Sequence, residues 1–380
     1  DTGGADALRA GSTALGAGGT SCQLVLEEAP PPLAGEGGRK QQLFLLSAKT
    51  KTARDQMSRN LADHLITNPS GDLGDVAYTL AMGRRSLKHR RAVIASSHKE
   101  AASLLYKGKP TRVATAVANT SDQGVVFSFP GGGAQYARMC LDLYQQEAVF
   151  KEALEVCLKL IDQHCNLTTR ELLFTSATDA KAATAKLQQP SLALPALFSI
   201  EYAAARLFQS WGLKPVAYLG HSMGEYVAAC LSGVFSVKDG LQLVHLRGKL
   251  FEKTQKGSMI GISMPASDLR AMMPKGISIA AINAPDLCVA SGPSELVKLL
   301  TTKLTEHNLD WTPIHIDVAA HSSLLDPILD EFRAFCKTIN FQAPNTPIAS
   351  NLTGKWLTSK EAKDPNYWVQ HLRGTVRFSD

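Results

Sequence analysis

The seven cysteines of this 380-residue chain are odd in number and scattered, with no Cys-x-x-Cys pair. That excludes a disulfide framework and leaves no zinc-ligand spacing, so a reducing, cytoplasmic setting with no bound metal is the expectation. Long apolar runs are also missing: none approaches the roughly 18 residues that cross a bilayer, and no membrane span is expected. No basic-then-apolar leader opens the chain, which starts at Asp1 rather than Met and reads as a piece of something longer. The net charge is +6, and part of the excess sits in Arg84-Arg-Ser-Leu-Lys-His-Arg-Arg91. That run lacks interleaved aromatics and any nucleic-acid motif, so no nucleic-acid partner is expected; a solvated face or a dock for an acidic protein remains. With 44% hydrophobic and 19% charged residues the chain is an ordinary globular protein, long enough for two or three units.

Residues 1–38 are rich in Gly, Ala and Pro and end in a linker-like run at 27–38. Residues 41–117 show a strand at 42–47, helical patterns around 52–67 and 72–80, and an apolar run at 92–95, a small α/β unit. A strand at 124–129 runs into Pro130-Gly-Gly-Gly-Ala-Gln135, followed by helical patterns at 148–164, 195–211 and 237–254. From 259 to 315 the texture changes to short pieces at 261–263, 266–273, 277–282, 287–290, 294–307 and 312–316. Their β-α-β-β-α-β order is that of a ferredoxin-like unit. Strand and helix pieces return from Ala334 onward.

The best-marked chemistry is Gly220-His221-Ser222-Met223-Gly224, where an apolar run ends in Gly-x-Ser-x-Gly and a small-residue amphipathic stretch follows. This is the form of a nucleophile elbow: strand, sharp turn, helix. The glycines leave room for the neighbouring chain, and the helix N-terminus supplies amide donors and positive potential to a developing oxyanion. Acyl chemistry through Ser222 is predicted. Of ten histidines, His321 is best placed as its base, between the small insert and a helix, although a surface histidine fits the same position. His221 adjoins the serine and should point away from its Oγ, which suits a supporting role. The glycines of 131–133 lack the Lys-Ser/Thr and the spacing of a phosphate loop. Either they are a bare turn, or an amide there completes an oxyanion hole with the Met223 amide. Arg247, within an apolar helical pattern, is either a structural ion-pair partner or a planar fork for a substrate carboxylate.

Taken together, Phe129-Pro-Gly-Gly-Gly-Ala-Gln135, Gly220-His-Ser-Met-Gly-Glu225, Leu246-Arg-Gly248, Ala281-Ile-Asn-Ala-Pro285 and Val318-Ala-Ala-His-Ser322 resemble a malonyl-type acyltransferase domain of a modular type I polyketide synthase. Ser210-Trp-Gly-Leu-Lys-Pro215, Ser350-Asn-Leu-Thr-Gly354 and Asp364-Pro-Asn-Tyr-Trp-Val-Gln-His-Leu-Arg373 fit the same family. The resemblance implies an α/β-hydrolase-like large subdomain from 118–257 and 317–380, with a ferredoxin-like small subdomain at 258–316. It also implies a small α/β linker domain at 39–117, similar to the ketosynthase–acyltransferase linker, after a ketosynthase C-terminal tail at 1–38.

The mechanism it implies is ping-pong. Ser222 attacks the thioester of an acyl-coenzyme A, malonyl-coenzyme A above all, with His321 as base and the amides of Gly132 and Met223 as oxyanion hole. Arg247 holds the free carboxylate; Val318, Ala319 and Ala320 bear on specificity; His221, Asn283 and Asn351 support, with the backbone near Asn351 orienting His321. The acyl group passes to the phosphopantetheine of an acyl carrier protein, with the ketosynthase and other domains of the same polypeptide as further partners and no bound cofactor.

Three departures stand out. Gly131-Gly132-Gly133 replaces the family's Gly-Gln-Gly, and Thr20-Ser-Cys-Gln23 replaces the Thr-Asn-Ala-His of ketosynthase tails. The chain also stops at 376–380, before the closing helix and strand such domains carry. An apolar residue after the serine, here Met223, accompanies malonyl in the family. Val318-Ala-Ala-His321 matches neither the malonyl form (His-Ala-Phe-His) nor the methylmalonyl form (Tyr-Ala-Ser-His), and Ala320 removes a phenyl wall. Two rivals remain in view: an α/β-hydrolase-type esterase or thioesterase, and a docking domain with a decayed site.

Overall fold

Side-chain caps and apolar alternation set the elements in the computed structural model, which describes residues 7–30, 38–118, 124–165, 167, 169–314 and 318–380 in two units, 1–122 and 123–380. In the first unit β1 (Arg9–Leu15) and β2 (Ser21–Glu27) pair antiparallel as a hairpin exposed along its whole length. The stretch that precedes the linker-like run therefore holds a ribbon at 9–27; residues 31–37 of that run lie outside the described residues. Then come β3 (Gln42–Ala48), α1 (Lys51–Thr67), α2 (Leu73–Met82), β4 (His89–Ala95), α3 (His98–Lys107) and β5 (Val113–Val117). Thr50, Asp72 and Ser97 each cap a helix by accepting from a backbone N–H three residues on. The antiparallel sheet β3-β4-β5 and its helices enclose Phe44, Leu46, Leu65, Val93 and Leu105. The basic run is partly structural, since Arg91 reaches Asp55 at 3.0 Å and Ser58 at 2.7 Å.

The second unit opens with β6 (Val125–Phe129), α4 (Leu141–Gln146), α5 (Ala148–Cys165), α6 (Thr169–Leu173), α7 (Ala180–Lys186) and α8 (Pro190–Ser210). It continues through β7 (Pro215–Gly220), α9 (Gly224–Leu231) and α10 (Val237–Lys253) into β8 (Gly257–Ile262), α11 (Ala266–Met272), β9 (Ser278–Ala284), β10 (Leu287–Pro293), α12 (Ser294–Glu306) and β11 (Trp311–Ile314). After a 3-10 turn (Ser323–Ile328) follow α13 (Leu329–Cys336), β12 (Ile348–Ala349), α14 (Ser359–Lys363), α15 (Pro365–Arg373) and β13 (Val376–Arg377).

β7 lies between β12 and β6, all parallel, so its C-terminal end is the centre of the large subdomain's sheet. The small subdomain's strands run β11-β8-β10-β9, antiparallel throughout, with the βαββαβ order expected of a ferredoxin-like unit. Of the strand expected at 312–316, residues 315 and 316 lie outside the described residues. β13 pairs parallel with β9. The tail expected within the large subdomain thus closes the small sheet.

α8 begins five residues before the expected 195, with Pro190 in its first turn and Pro195 inside it. A proline at 195 cannot donate to the carbonyl of Ser191. His245 Nδ1 on α10 takes that carbonyl instead, at 3.1 Å. By length and composition α8 is apolar enough to cross a membrane, the one such helix among the described residues, but 72% of its apolar window is buried in the unit. It packs in the core with Phe150, Leu158 and Val244.

α10 crosses α8 closely at Gly248, where a Cβ would stand 2.3 Å from Pro190 O and 2.6 Å from Ser191 Cα. Gly248→Ala should therefore destabilise the protein by about 1–3 kcal/mol through overpacking, although alanine is the better helix former. Urea unfolding checks this; an unchanged or raised midpoint would mean the two helices separate freely.

Candidate active site

The turn from β7 into α9 has room for one arrangement. Ser222 sits at φ 50°, in the left-handed region. At Gly220 a Cβ would fall 2.1 Å from Glu225 N, and at Gly224 2.3 Å from Phe129 O, so any side chain at either position is excluded. Backbone bonds close the turn: His221 N–H to Phe129 O at 2.9 Å, Gly224 N–H to His221 O at 2.9 Å and Glu225 N–H to Ser222 O at 3.1 Å. The serine's own N–H donates to Asn351 Oδ1 at 2.5 Å, and Asn351 Nδ2 donates back to Gly220 O. Met223, fully buried, is the N-cap of α9, so its amide belongs to the helix N-terminus. Gly131 lies against the turn: a Cβ there would be 2.9 Å from His221 O and 3.5 Å from Ser222 Cβ. Gly132 lines the same cavity.

His321 Nε2 lies 2.7 Å from Ser222 Oγ, and its Nδ1 lies 2.8 Å from Gly374 O. A carbonyl only accepts, so Nδ1 carries the proton and Nε2 is left as acceptor for the serine hydroxyl. The carbonyl of Gly374, rather than the backbone near Asn351, orients His321, and Asn351 acts on the elbow through its side chain. Gly374 was missed because it is one residue past the Asp364–Arg373 motif and contributes only backbone. Burial, then the Arg247 guanidinium and His371, hold His321 well below the usual histidine range.

Arg247, 2% exposed, donates from Nη2 to Ser222 Oγ at 2.8 Å. Among the described residues its Nε and Nη1 have no hydrogen-bond partner and it forms no ion pair with a carboxylate. The guanidinium lies 5.5 Å from the Tyr226 ring centroid and 5.3 Å from that of Phe251. Of the two readings of this arginine, the ion-pair partner has no counterpart in the structure. His221 turns away from the serine as expected: Nε2 meets Asn283 Oδ1 at 2.8 Å and the ring packs on Phe378.

These groups face a cavity of about 570 Å³ between the subdomains of the second unit. Its polar end holds Gly132, Ser222, Arg247 and His321; Leu194, Ala281, Val289 and Val376 give it apolar walls. Val318 and Ala320 line it, whereas Ala319 turns away and packs where a Cβ on Gly257 would stand 2.5 Å off. Glu225, fully buried behind the turn, accepts from Asn351 N at 2.6 Å and from the Tyr367 hydroxyl, with His371 Nε2 at 3.4 Å. Glu225, Tyr367 and His371 lie within motifs that the sequence offers, but their residue types alone assign them no role at the site. Among the described residues no three His, Cys, Asp or Glu side chains gather as a metal-binding group. The arrangement can take a proton from a hydroxyl, meet a carboxylate with a bare guanidinium and present backbone amides to an oxyanion.

A family model described as acyl transferase domain matches residues 126–380, and one described as CurL-like, PKS C-terminal matches 42–105. The chain is 33% identical to a phenolphthiocerol/phthiocerol polyketide synthase polypeptide of Mycobacterium tuberculosis over 98% of its own length, but spans only 26% of that protein. Among solved structures, the acyl transferase domain of ZmaA matches with a TM-score of 0.81 at 39% identity, covering 90% of this chain and 79% of that one. The acyl transferase domain of SpnD in complex with 2-(pent-4-yn-1-yl)malonyl matches at 0.79 and 33%, covering 90% and 81%.

The depressed proton affinity of His321 has a signed consequence. The imidazole stays neutral at and below pH 6.5, so reaction of Ser222 with a neutral sulfonyl fluoride should be flat from pH 8 to 6.5 and fall only at more acid pH. A half-maximal rate at or above pH 6.5 would contradict the burial effect. By linkage the unfolded chain binds a proton there that the folded one refuses, so stability is lost as pH falls below about 6.5. His321→Gln should flatten that loss in urea titrations at pH 7 and pH 5.5.

Proposed function

Because the chain belongs to the acyl transferase domain family, in the form carried by polyketide synthases, we propose that this acyltransferase moves a malonyl extender unit from coenzyme A to an acyl carrier protein through an ester on Ser222. His321 Nε2 takes the Ser222 proton as Oγ attacks the thioester carbonyl; the C–S bond breaks, and the proton goes to the departing coenzyme A sulfur. The phosphopantetheine thiol of the carrier protein then gives its proton to His321 and attacks the ester carbonyl; the bond from Oγ to the acyl carbon breaks, and His321 returns the proton to Ser222 Oγ. The Ser222 N–H is already taken by Asn351, so the oxyanion falls to the amides of Met223 and Gly132.

One observation carries the choice of a carboxylated acyl group: the buried guanidinium of Arg247 touches Ser222 Oγ and keeps two donors unpartnered. A malonyl carboxylate brings the missing anion and fits the planar fork. It would also neutralise the charge that, after burial, most disfavours a proton on His321, so docking the carboxylate strengthens the base. Ala320 on the cavity wall favours tolerance of an α-substituent beside malonyl, since a methylene is worth only about 1–3 kcal/mol in such a pocket. The ketosynthase and other domains of a longer polypeptide are the proposed neighbours, and a cytoplasmic setting agrees with seven free cysteines. A backbone carbonyl on His321, where hydrolases carry an Asp or Glu, favours transfer over the esterase alternative. The intact Ser222–His321 contact speaks against a decayed docking domain.

Ser222→Ala should abolish covalent acylation by malonyl-coenzyme A in intact-mass spectra, and His321→Ala should slow it at least about a hundredfold. Full labelling of Ser222→Ala would end the seryl-ester mechanism. Arg247→Ala should cost malonyl transfer about 2–5 kcal/mol while acetyl transfer changes little or rises, with Arg247→Lys rescuing malonyl in part. Equal losses for both donors in a folded Arg247→Ala protein would refute the carboxylate clamp.

A further inference from the structure

Behind the elbow, out of reach of the cavity, one carboxamide grips the turn on both sides of His221. Asn351 Oδ1 accepts the Ser222 N–H and Asn351 Nδ2 donates to Gly220 O. The backbone of the same residue is held in turn: its N–H donates to Glu225 Oε2 at 2.6 Å and its carbonyl accepts from Arg377 N at 2.7 Å. Glu225 is fixed by the Tyr367 hydroxyl, which also meets Ser350 Oγ at 2.7 Å. Asn351, Glu225 and Tyr367 are buried, and none lines the cavity.

We propose that Asn351 is a positioning residue for the reaction: its carboxamide, backed by Glu225, holds Ser222 in the left-handed conformation that aims Oγ between His321 Nε2 and Arg247 Nη2. The proposal rests on the reading of Ser222 as nucleophile. A non-glycine residue at φ 50° keeps that conformation only where its surroundings over-determine it. Without the carboxamide, the Ser222 N–H and the Gly220 carbonyl lose their side-chain partner inside the protein. The turn then relaxes, and the Cα–Cβ bond of Ser222 swings away from its two partners at 2.7 and 2.8 Å. The clamp has a second effect: it withholds the serine amide from any oxyanion.

The test compares Asn351→Ala and Asn351→Asp with Leu158→Ala, a core truncation outside both the cavity and this network. Phenylmethylsulfonyl fluoride serves as probe: the Ser222 Oγ–S bond forms, fluoride leaves and His321 takes the proton, with no acyl-coenzyme A to be recognised. Mass spectrometry follows the labelling, and kcat and KM are measured with malonyl-coenzyme A. Both Asn351 variants should label about a hundredfold slower than wild type, the scale of a misplaced reacting atom, with kcat lowered in step and KM unchanged. Leu158→Ala, though less stable, should label at the wild-type rate. A folded Asn351→Ala protein that labels as fast as Leu158→Ala overturns the proposal. If that variant does not fold, the isosteric Asn351→Asp decides, since it keeps an acceptor for Ser222 but turns an oxygen toward Gly220 O; a wild-type rate there overturns the proposal as well. Absence of Ser222 labelling in the wild type would remove the nucleophile reading and this inference together, whereas a fast variant beside a labelled wild type removes this inference alone.

Discussion

A serine at φ 50° costs on the order of 1–3 kcal/mol of backbone strain, and the second unit is organised around keeping it there. Phe129 O and Pro130 O press on Gly224 from β6, and the first turn of α9 presses on Gly220. Strand, turn and helix therefore form one packed object in which no Cβ fits on either side of the turn. With the backbone so confined, the Ser222 side chain has a single open direction, into the cavity. Everything that touches its oxygen must be brought there from elsewhere in the chain.

What is brought there is polarised one way. A desolvated guanidinium, the N-terminus of α9 and a histidine held neutral share the polar end of the cavity, and the nearest buried carboxylate, Glu225, is engaged behind the turn. Arg247 tolerates its burial through two ring faces and one hydrogen bond to Ser222, which leaves Nε and Nη1 buried without a hydrogen-bond partner among the described residues. Such an environment is unfavourable to any cation and favourable to a ligand that carries its own anion and develops a second one on reaction. The same field that keeps the base neutral at rest is the one such a ligand would relieve.

Residues whose role is written into local sequence were legible: Gly220 to Gly224 as an elbow, Arg247 as a charge out of place in an apolar helix, His321 as a histidine next to a change of texture. The ferredoxin-like order of the small subdomain was legible for the same reason, because each of its pieces is short and well punctuated. Contributions made through backbone or over long sequence separation were not. Gly374 offers only a carbonyl. Asn351 reaches the elbow across 129 residues, so nothing near it in sequence says which of its atoms matters. The start of α8 was misread because two prolines each suit a first turn. Only the distant His245, by bonding the Ser191 carbonyl, permits the earlier one. The exposed hairpin at 9–27 was hidden by the glycines and alanines of its first strand and turn, whose strand signal is weak.

The path of the last residues explains why the base can be so well placed although it comes from a loop between subdomains. His321 follows the small subdomain, and its φ of 55° shows that it too is held rather than relaxed. Its Nδ1 partner, Gly374 O, lies two residues before β13, and β13 is pinned parallel to β9. Thr375 Oγ1 adds a bond to Ile279 O, and Asn351 O accepts from Arg377. One short stretch, 374–377, is therefore tied to the small sheet on one side and to the residue clamping the serine turn on the other. The serine turn and the loop that carries the histidine meet at a distance set by a segment tied to the small sheet and to the serine turn. A shift of either subdomain must break that attachment before it can open the 2.7 Å contact between them.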